Sequence, residues 1–242
     1  MDGNSSALSL IENKKEVPKE FNKIAARYDF TTAMSQGYQG DLNHSAGFLE
    51  LKGDETVLDL CCGTGRSVHA ILRHLPSGKI IGIDNSELML EQAEKKFASE
   101  VAAGRVSFSL QDVMHMDLSG QKFSHIFMAY GLRNMPDYGK CLEILYNLLQ
   151  PGGRLVMHDY ALAERWYSRL YWWLLGYIFV VPIGFIFAGS SRIFIYLVRS
   201  VMKFLSPSEV EGLLREKGFR EVVSWPQRSW RGPILRTFVA VK

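Results

Sequence analysis

The chain has 242 residues, of which 47% are hydrophobic, and a formal net charge of +3. This length and apolar content suit one α/β domain with a single core. The basic residues are scattered along the sequence, which argues against a nucleic-acid partner. The three cysteines contain no C-x-x-C pair, so we expect no disulfide framework, no metal site and a reducing, cytoplasmic location.

The N-terminal stretch MDGNSSALSL has neither a basic segment nor an apolar one, so we expect no secretory signal. We predict a disordered tail over residues 1–18 and a folded domain over 19–242. Apolar residues recur at helical spacing over 19–36, which predicts a helix. A bend at Gly37 and Gly40 should follow, and then a second helix to Leu51 that Asp41 caps.

From Thr56 onward, short apolar runs alternate with segments of helical periodicity. This alternation predicts a Rossmann-like, doubly wound α/β fold, in which helices cover both faces of a mostly parallel seven-stranded sheet. Ligands of such sheets bind at the carboxyl ends of the strands. The predicted strands are residues 56–61, 79–84, 105–110, 123–131, 154–160, 221–225 and 236–242.

A glycine turn, DLCCGTGRS from Asp59, follows the first strand. A dinucleotide-binding turn reads G-x-G-x-x-G/A, but Val68 stands at the third position here. A carboxylate at Asp59 would repel a pyrophosphate and attract a cation, directly or through water. The pattern therefore favours S-adenosylmethionine, which has an ammonium, a sulfonium and no phosphate. Cys61 and Cys62 are interpreted as apolar fillers beneath the turn rather than as nucleophiles.

Two further acids end the next predicted strands. Asp84 should accept hydrogen bonds from the ribose hydroxyls, and Asp112 from the adenine amine. Each acid alone would more often be a helix cap or a solvated loop residue, but together with the glycine turn they outline one cleft. The predicted cofactor-binding residues are Asp59, Gly63, Thr64, Gly65, Asp84, Asn85, Asp112, Val113 and Ala129.

Four stretches, VLDLCCGTG, the acidic end of KIIGID, YGLRNMPD and LLQPGGRL, resemble the S-adenosylmethionine-dependent C-methyltransferases of ubiquinone and menaquinone biosynthesis. The likeness runs from FNKIAARYD to the C-terminus, and the GLRN stretch is its most specific part. The resemblance implies methyl transfer to a ring carbon of a polyprenylated quinol or phenol.

The resemblance also implies catalytic residues. Arg133 and Asn134 are expected beside the ring, with Tyr28 closing over it from the first helix. Arg133 would then stabilise the ring oxyanion, and a water held by Asn134 and Tyr28 would carry the proton. His158 is either a general base or a satisfied polar residue, and we favour the second interpretation. Asp159 matches an acid of the family.

An apolar helical insertion, residues 162–203, follows the fifth strand. It contains 19 uncharged residues, Leu170–Ala188, which is long enough to span a bilayer. A single crossing would separate the last two strands from their sheet, so we predict a hairpin of Tyr171–Val181 and Phe185–Val198, broken at Pro182 and Gly184. The insertion either caps the site or contacts a membrane through 166–203, peripherally.

Other functions stay open on the sequence alone. The chain could methylate oxygen or nitrogen of another lipophilic small molecule, or act as a non-catalytic cofactor-binding membrane scaffold. An NAD-dependent oxidoreductase is the weakest alternative. A homodimer or a biosynthetic complex is possible.

Overall fold

Seven strands form one sheet in the computed structural model, which describes residues 14–33, 37–118, 120–189 and 191–242. The side chains of residues 15, 26–33, 188 and 229 lie outside this description. The strand order is β3-β2-β1-β4-β5-β7-β6. The strands are β1 (Thr56–Leu60), β2 (Lys79–Asp84), β3 (Val106–Leu110), β4 (Phe123–Ala129), β5 (Leu149–Tyr160), β6 (Arg220–Pro226) and β7 (Leu235–Val241).

Strands β1 to β5 are parallel, and β7 is antiparallel to both β5 and β6. The chain leaves β1 toward β2 on one side and later returns to β4 on the other. The order of strands therefore reverses at β1, and a crevice is expected at the carboxyl ends of β1 and β4. The mostly parallel seven-stranded sheet is as predicted.

Helices cover both faces of the sheet, and two separate apolar clusters fill the spaces between. One cluster includes Leu142 and Leu214, the other Val68 and Ile71. The helices are α1 (Val17–Ala33), α2 (Tyr38–Gly47), α3 (Arg66–Leu72), α4 (Glu87–Lys96), α5 (Ala98–Ala102), α6 (Tyr138–Leu148), α7 (Trp166–Leu175), α8 (Val181–Ala188), α9 (Arg192–Lys203) and α10 (Pro207–Glu216).

Helical structure begins earlier than the sequence suggested. A 3-10 turn covers Lys14–Glu16 and leads directly into α1. The predicted disordered tail is therefore wrong for residues 14–18, whereas residues 1–13 lie outside the described part. Asn22 fastens α1 to the start of α4, because its Oδ1 accepts a hydrogen bond from Ser86 Oγ at 2.6 Å. Val17, the first residue of α1, belongs to the same buried apolar cluster as Tyr196 of α9.

The second helix also begins before its predicted cap. Gly37 adopts φ 90°, a left-handed value that glycine reaches without strain, and α2 starts at the next residue. The predicted bend at Gly40 and cap at Asp41 are therefore wrong. The Asp41 carboxylate is instead buried in an ion pair, with its Oδ2 2.7 Å from Nε of Arg231.

The insertion forms a hairpin, but its turn is not where we predicted. The chain stays helical from Trp166 through a π turn (Gly176–Val180) into α8, and it turns at Gly189, which has φ 73°. The break predicted at Pro182 and Gly184 is wrong. Pro182 lies in the first turn of α8, where the missing N–H costs little. The π turn that precedes it has a different hydrogen-bond spacing, so the helix continues past the proline.

Two glycines let this long helix approach α9 closely. A Cβ atom at Gly176 would lie 2.5 Å from Val198 Cγ2, and one at Gly184 would lie 2.2 Å from Cδ2 of Phe194. Between α7 and α9, the indole N–H of Trp172 donates to the Val198 carbonyl at 3.0 Å. These contacts hold the two arms of the hairpin together.

The opposite side of the same helix faces outward and is also apolar. Within the described residues, Trp166–Phe187 is a helical stretch of 22 residues that contains an 18-residue window of mean hydropathy 1.9, long and apolar enough to cross a bilayer. Strands β5 and β7 lie on either side of the insertion in the sequence and are hydrogen-bonded neighbours in the sheet. A single crossing of the membrane by the insertion would place them on opposite sides and is incompatible with this pairing. We call its exposed residues the outer apolar face: Trp166, Leu170, Trp173, Leu174, Ile178, Phe179, Ile183, Phe185 and Ile186.

The close packing at Gly184 predicts a stability effect. Gly184→Ala should lower the free energy of unfolding by about 1–3 kcal/mol, because the added methyl overlaps the Phe194 ring. Gly212→Ala in α10 is the matched control, since a Cβ there meets nothing within 4 Å. That substitution should stabilise the protein by about 0.5–1 kcal/mol. Urea unfolding measures both, and equal effects of the two substitutions would contradict the packing described.

Candidate functional site

One cavity of about 610 Å³ lies at the carboxyl ends of the central strands, between the sheet and the helices α1, α7, α8 and α9. This volume is within the range of small-molecule sites. One end of the cavity, the cofactor end, is polar and is lined by Gly63, Thr64, Asp84, Asn85 and Asp112. The other end, the apolar chamber, is lined by Phe21, Trp172, Leu175, Val180, Ile193 and Leu197.

The glycine turn presents bare backbone to the cofactor end. Gly63 adopts φ 53°, and a Cβ at this position would meet nothing within 4 Å, so only open space covers its backbone. Its N–H donates to Asp84 Oδ2 at 2.8 Å. A ligand can therefore approach the main chain closely at Gly63.

Asp84 is the last residue of β2 and lines the cavity, and its carboxylate also accepts a hydrogen bond from the glycine turn. Its Oδ1 accepts from the Ser86 N–H at 2.9 Å, and its Oδ2 accepts from Gly63. Burial raises the pKa of Asp84, and these backbone N–H groups oppose the rise. Each carboxylate oxygen keeps a lone pair for a ligand hydroxyl.

Asp59 lies beneath the turn rather than on the cavity wall. It is fully buried, and its Oδ2 accepts from Ser67 Oγ at 2.6 Å. Its Oδ1 has no hydrogen-bond partner among the described residues. Burial raises the pKa of Asp59 to about 8. Direct contact of Asp59 with a ligand is not what the structure shows, but its unpaired oxygen fits a nearby cation or a bridging water.

Gly65, also predicted to bind cofactor, is not on the wall either. It has φ 81°, and a Cβ there would lie 2.4 Å from Cε2 of Phe97. Its role in the fold is to let the start of α3 pack against that ring. The remaining predicted residues Asp112, Val113 and Ala129 do line the cavity. Gln111 and His115 also line it, although no sequence signal pointed to them.

The Asp112 carboxylate is partly committed to its own loop. Its Oδ1 accepts from the Met114 N–H, and its Oδ2 lies 2.9 Å from Nδ1 of His115. The side chain is exposed at the edge of the cofactor end, where it can still accept from a ligand amine.

Arg133 lines the cavity from the 3-10 turn Leu132–Asn134, which follows β4. Only 4% of it is exposed. Its Nε is 3.6 Å from Asp159 Oδ1, and its Nη1 donates to Ser200 Oγ at 2.6 Å. The guanidinium is thus clamped between β5 and α9. Its Nη2 makes no hydrogen bond to another described residue.

Asn134 is held as firmly as its neighbour. Its Nδ2 donates to the Tyr130 carbonyl at 3.0 Å, and its Oδ1 accepts from Tyr196 Oη at 2.9 Å and from Arg133 Nη1 at 3.2 Å. The acceptor atom therefore already has two donors. Tyr196, on α9, was not predicted and lines the cavity between the cofactor end and the apolar chamber.

Lys14 is a second unpredicted residue of the wall, since we assigned it to the tail. Its Nζ donates to the carbonyls of Arg133 at 2.9 Å and Met135 at 2.7 Å, and to Tyr138 Oη at 2.9 Å. Burial, and after it the charge of Arg133, lowers the pKa of Lys14 to about 8. No sequence signal distinguishes this lysine from its neighbour Lys15.

His158 is buried and does not line the cavity. Its Nδ1 is 2.8 Å from Ser45 Oγ, and its Nε2 is 3.0 Å from Tyr130 Oη. Burial lowers the pKa of His158 to about 3, so the ring is neutral at physiological pH. The favoured interpretation, a satisfied polar residue, agrees with this geometry. Tyr130, which it supports, does line the cavity and stacks on Tyr38 with centroids 5.2 Å apart.

Two other sequence interpretations bear on the site. Burial raises the pKa of the Cys61 and Cys62 thiols well above the usual value, so neither forms a ready thiolate, which supports their role as fillers. Tyr28 belongs to α1, but its side chain lies outside the described residues. Its catalytic role stays a prediction.

Known proteins resemble this chain over nearly its whole length. The model of the ubiE/COQ5 methyltransferase family matches residues 9–240. A demethylmenaquinone methyltransferase of Lactococcus lactis is 34% identical over 216 residues, covering 86% of this chain and 83% of that protein. The corresponding protein of Staphylococcus epidermidis is 28% identical over 238 residues, covering 95% and 94%.

Solved structures share the fold. The [4+2]-cyclase SpnF superposes with a TM-score of 0.70 at 16% identity, covering 95% of this chain and 96% of that one. A phosphoethanolamine N-methyltransferase of Haemonchus contortus, solved with S-adenosylhomocysteine, has a TM-score of 0.60 at 16% identity. It matches 83% of this chain, which spans 52% of that chain. At these identities the likeness concerns the fold alone.

The family match confirms the resemblance seen in the sequence, and with it the predictions of S-adenosylmethionine as cofactor and of C-methylation in quinone biosynthesis. The cavity fits that cofactor, with an open glycine turn, two carboxylates on its wall and an unpaired carboxylate oxygen below it. The chain belongs to the ubiE/COQ5 methyltransferase family and is an S-adenosylmethionine-dependent methyltransferase.

Proposed function

We propose that the protein methylates a ring carbon of a prenylated naphthoquinol, the acceptor that the names of its bacterial relatives indicate. One observation carries the proposal: one cavity is lined by the acids and glycine turn of the cofactor end, by Arg133 and by the apolar residues of the chamber. A polar ring with a hydrocarbon tail needs both kinds of surroundings. A small hydrophilic acceptor would not need the chamber.

When bound, S-adenosylmethionine supplies the methyl group from its sulfonium. We propose that Asp84 accepts from both ribose hydroxyls and that Asp112 accepts from the adenine amine. The backbone of Gly63 and Thr64 would lie along the methionyl part, with Asn85, Val113 and Ala129 completing the wall. Asp59 would act on the ammonium from below, through its charge or a water.

Arg133 is proposed to stabilise the oxygen of the quinol ring as negative charge develops there. Its other nitrogens are held by Asp159 and Ser200, so Nη2 is fixed in place before the acceptor arrives. Pre-positioned donors of this kind lower the barrier because they need no rearrangement during the reaction. A guanidinium keeps its proton, so Arg133 is not the base.

The hydrogen bonds of Asn134 favour a positioning role over the water-holding role first expected. Because two donors occupy Asn134 Oδ1, we assign Asn134 to positioning Arg133 and Tyr196. Tyr28 closing over the ring remains our proposal for α1. The proton of the methylated ring carbon would leave to water, since the ring becomes aromatic again as it departs.

We propose that residues 166–203 of the insertion attach the protein to the cytoplasmic side of a membrane. Between Arg165 and Lys203 the sequence has five basic residues and no acidic one. Arg169 Nη2 donates to the Met202 carbonyl at 3.0 Å, which brings the two ends of the hairpin and their charges together. Basic groups beside an exposed apolar face are typical of helices that lie on anionic lipid.

The pKa of Asp59 makes proton release a test of cofactor binding. Below pH 8 the free protein holds Asp59 protonated, and a cation nearby favours the carboxylate. Wild-type protein should therefore release up to about one proton per bound S-adenosylmethionine at pH 7 and almost none at pH 9. Calorimetry in buffers of different ionisation enthalpy measures this number.

Asp59→Asn is the control, because the ligand's own amine titrates equally in both proteins. The difference between wild type and variant at pH 7 isolates Asp59. Identical proton release from the two proteins would remove Asp59 from cofactor binding.

The role of Arg133 predicts a split between turnover and cofactor affinity. Arg133→Lys keeps the positive charge beside Asp159 but loses the planar fork, so kcat should fall on the order of 10²-fold. The dissociation constant for S-adenosylhomocysteine should stay near that of wild type. Stopped assays and a binding titration measure the two quantities, and a variant with wild-type kcat would show that Arg133 is not part of catalysis.

The proposed function itself is tested by transferring radiolabelled methyl from S-adenosylmethionine to reduced demethylmenaquinol in anionic vesicles. The product should carry the label on a ring carbon, in a position that acid or ether cleavage does not remove. Label released by ether cleavage would indicate O-methylation instead. Cofactor binding without labelling of any lipid would favour the non-catalytic scaffold.

A further inference from the structure

The exposed residues of the cavity wall include two chemically different groups. At the cofactor end, the exposed wall residues include Asn85, Asp112 and His115, all polar. At the insertion, two other wall residues are exposed and wholly apolar: Phe179 is 55% exposed and Ile183 is 38% exposed. These two lie four positions apart, so they share one side of the helix.

Phe179 and Ile183 also belong to the outer apolar face. Their neighbours Ile178 and Ile186 are 56% and 68% exposed but do not line the cavity. Of these four residues, only Phe179 and Ile183 line the cavity as well as the outer apolar face. The apolar chamber and the outer apolar face are therefore connected through these two side chains. A hydrocarbon chain could pass between them without crossing a polar surface.

The polar opening cannot serve the same chain. An acceptor entering there would draw its tail past Asp84 and Asp112 and through the space that the cofactor needs. Burying hydrocarbon against carboxylates removes water from those charges without replacing its hydrogen bonds. The two openings therefore suit two different molecules, one water-soluble and one lipid.

We propose that the opening framed by Phe179 and Ile183 is a lateral portal, through which the acceptor's ring enters from the bilayer while the rest of its prenyl tail stays in lipid. This rests on the proposed function and specifies how the same site takes its acceptor. The cofactor exchanges with water through the polar opening meanwhile. The protein binds the ring and the first part of the tail, whereas the tail beyond the portal makes no contact with it.

The arrangement has a consequence for specificity. Because only the portal-side part of the tail contacts protein, kcat/KM should rise with the first isoprene units and then become constant. Adding units beyond those that fill the chamber lengthens only the part in lipid.

The test uses paired variants in nonionic micelles, where attachment to a charged membrane no longer matters. Ile183→Trp narrows the portal, and Ile186→Trp makes the same change on the outer face only. Acceptors are the quinol with a long prenyl tail and the same ring without a tail. Ile183→Trp should raise KM for the tailed acceptor about tenfold and leave the tail-less ring unaffected. Ile186→Trp should change neither.

A second pair guards against misfolding of the first. Phe179→Asp places a charge in the portal, and Ile178→Asp places it beside the portal at equal exposure. Toward the tailed acceptor, Phe179→Asp should lower kcat/KM about tenfold more than Ile178→Asp, whose charge disturbs only the contact of the outer apolar face with the micelle. Binding of S-adenosylhomocysteine at wild-type affinity shows that each variant is folded.

The results distinguish failure of the portal proposal from failure of the proposed function. Equal loss on both acceptors, or no loss on either with Ile183→Trp and Phe179→Asp, would overturn the portal while methylation by wild type stands. Wild-type protein that methylates neither ring would overturn the proposed function itself.

Discussion

The structure depends on a helix that is apolar on opposite sides. Toward the protein, Trp172, Gly176 and Gly184 pack closely on α9 and cover the cavity. Away from it, the residues of the outer apolar face are between 38% and 82% exposed. Apolar surface left in water costs free energy in proportion to its area, and contiguous patches of this kind mark binding surfaces. A helix needed only as a lid would have a polar outer side.

The cofactor end of the cavity is polar and contains buried carboxyl groups. Burial raises the pKa of both Asp59 and Asp84, which means that the folded chain bears a cost for keeping carboxylates there. A cationic ligand offsets that cost, whereas a phosphate-bearing ligand would add to it. The same acids that weaken the free protein thereby select the cofactor. Arg133 lines the same cavity, with its charge balanced by Asp159.

Much of this could be predicted from the sequence because the signals are local. Alternating strands and helices predicted the sheet, and the glycine turn with Asp84 predicted the cofactor end. What failed depended on distant contacts. Asp41 looks like a helix cap until Arg231 pairs with it from the far end of the chain. Lys14 looks like part of a tail until the carbonyl groups after β4 accept hydrogen bonds from its ammonium group. Pro182 looks like a helix break because sequence does not reveal a π turn.

The central claim is that one cavity holds a cofactor and a lipid acceptor side by side, each in its own part. Calorimetric titration of S-adenosylhomocysteine into protein already saturated with the prenylated quinol, in micelles, tests it most directly. The account predicts a ternary complex, with the dissociation constant for S-adenosylhomocysteine unchanged or lower than without acceptor. An apparent dissociation constant that rises in proportion to the acceptor concentration would show that the two ligands compete, and would contradict the account.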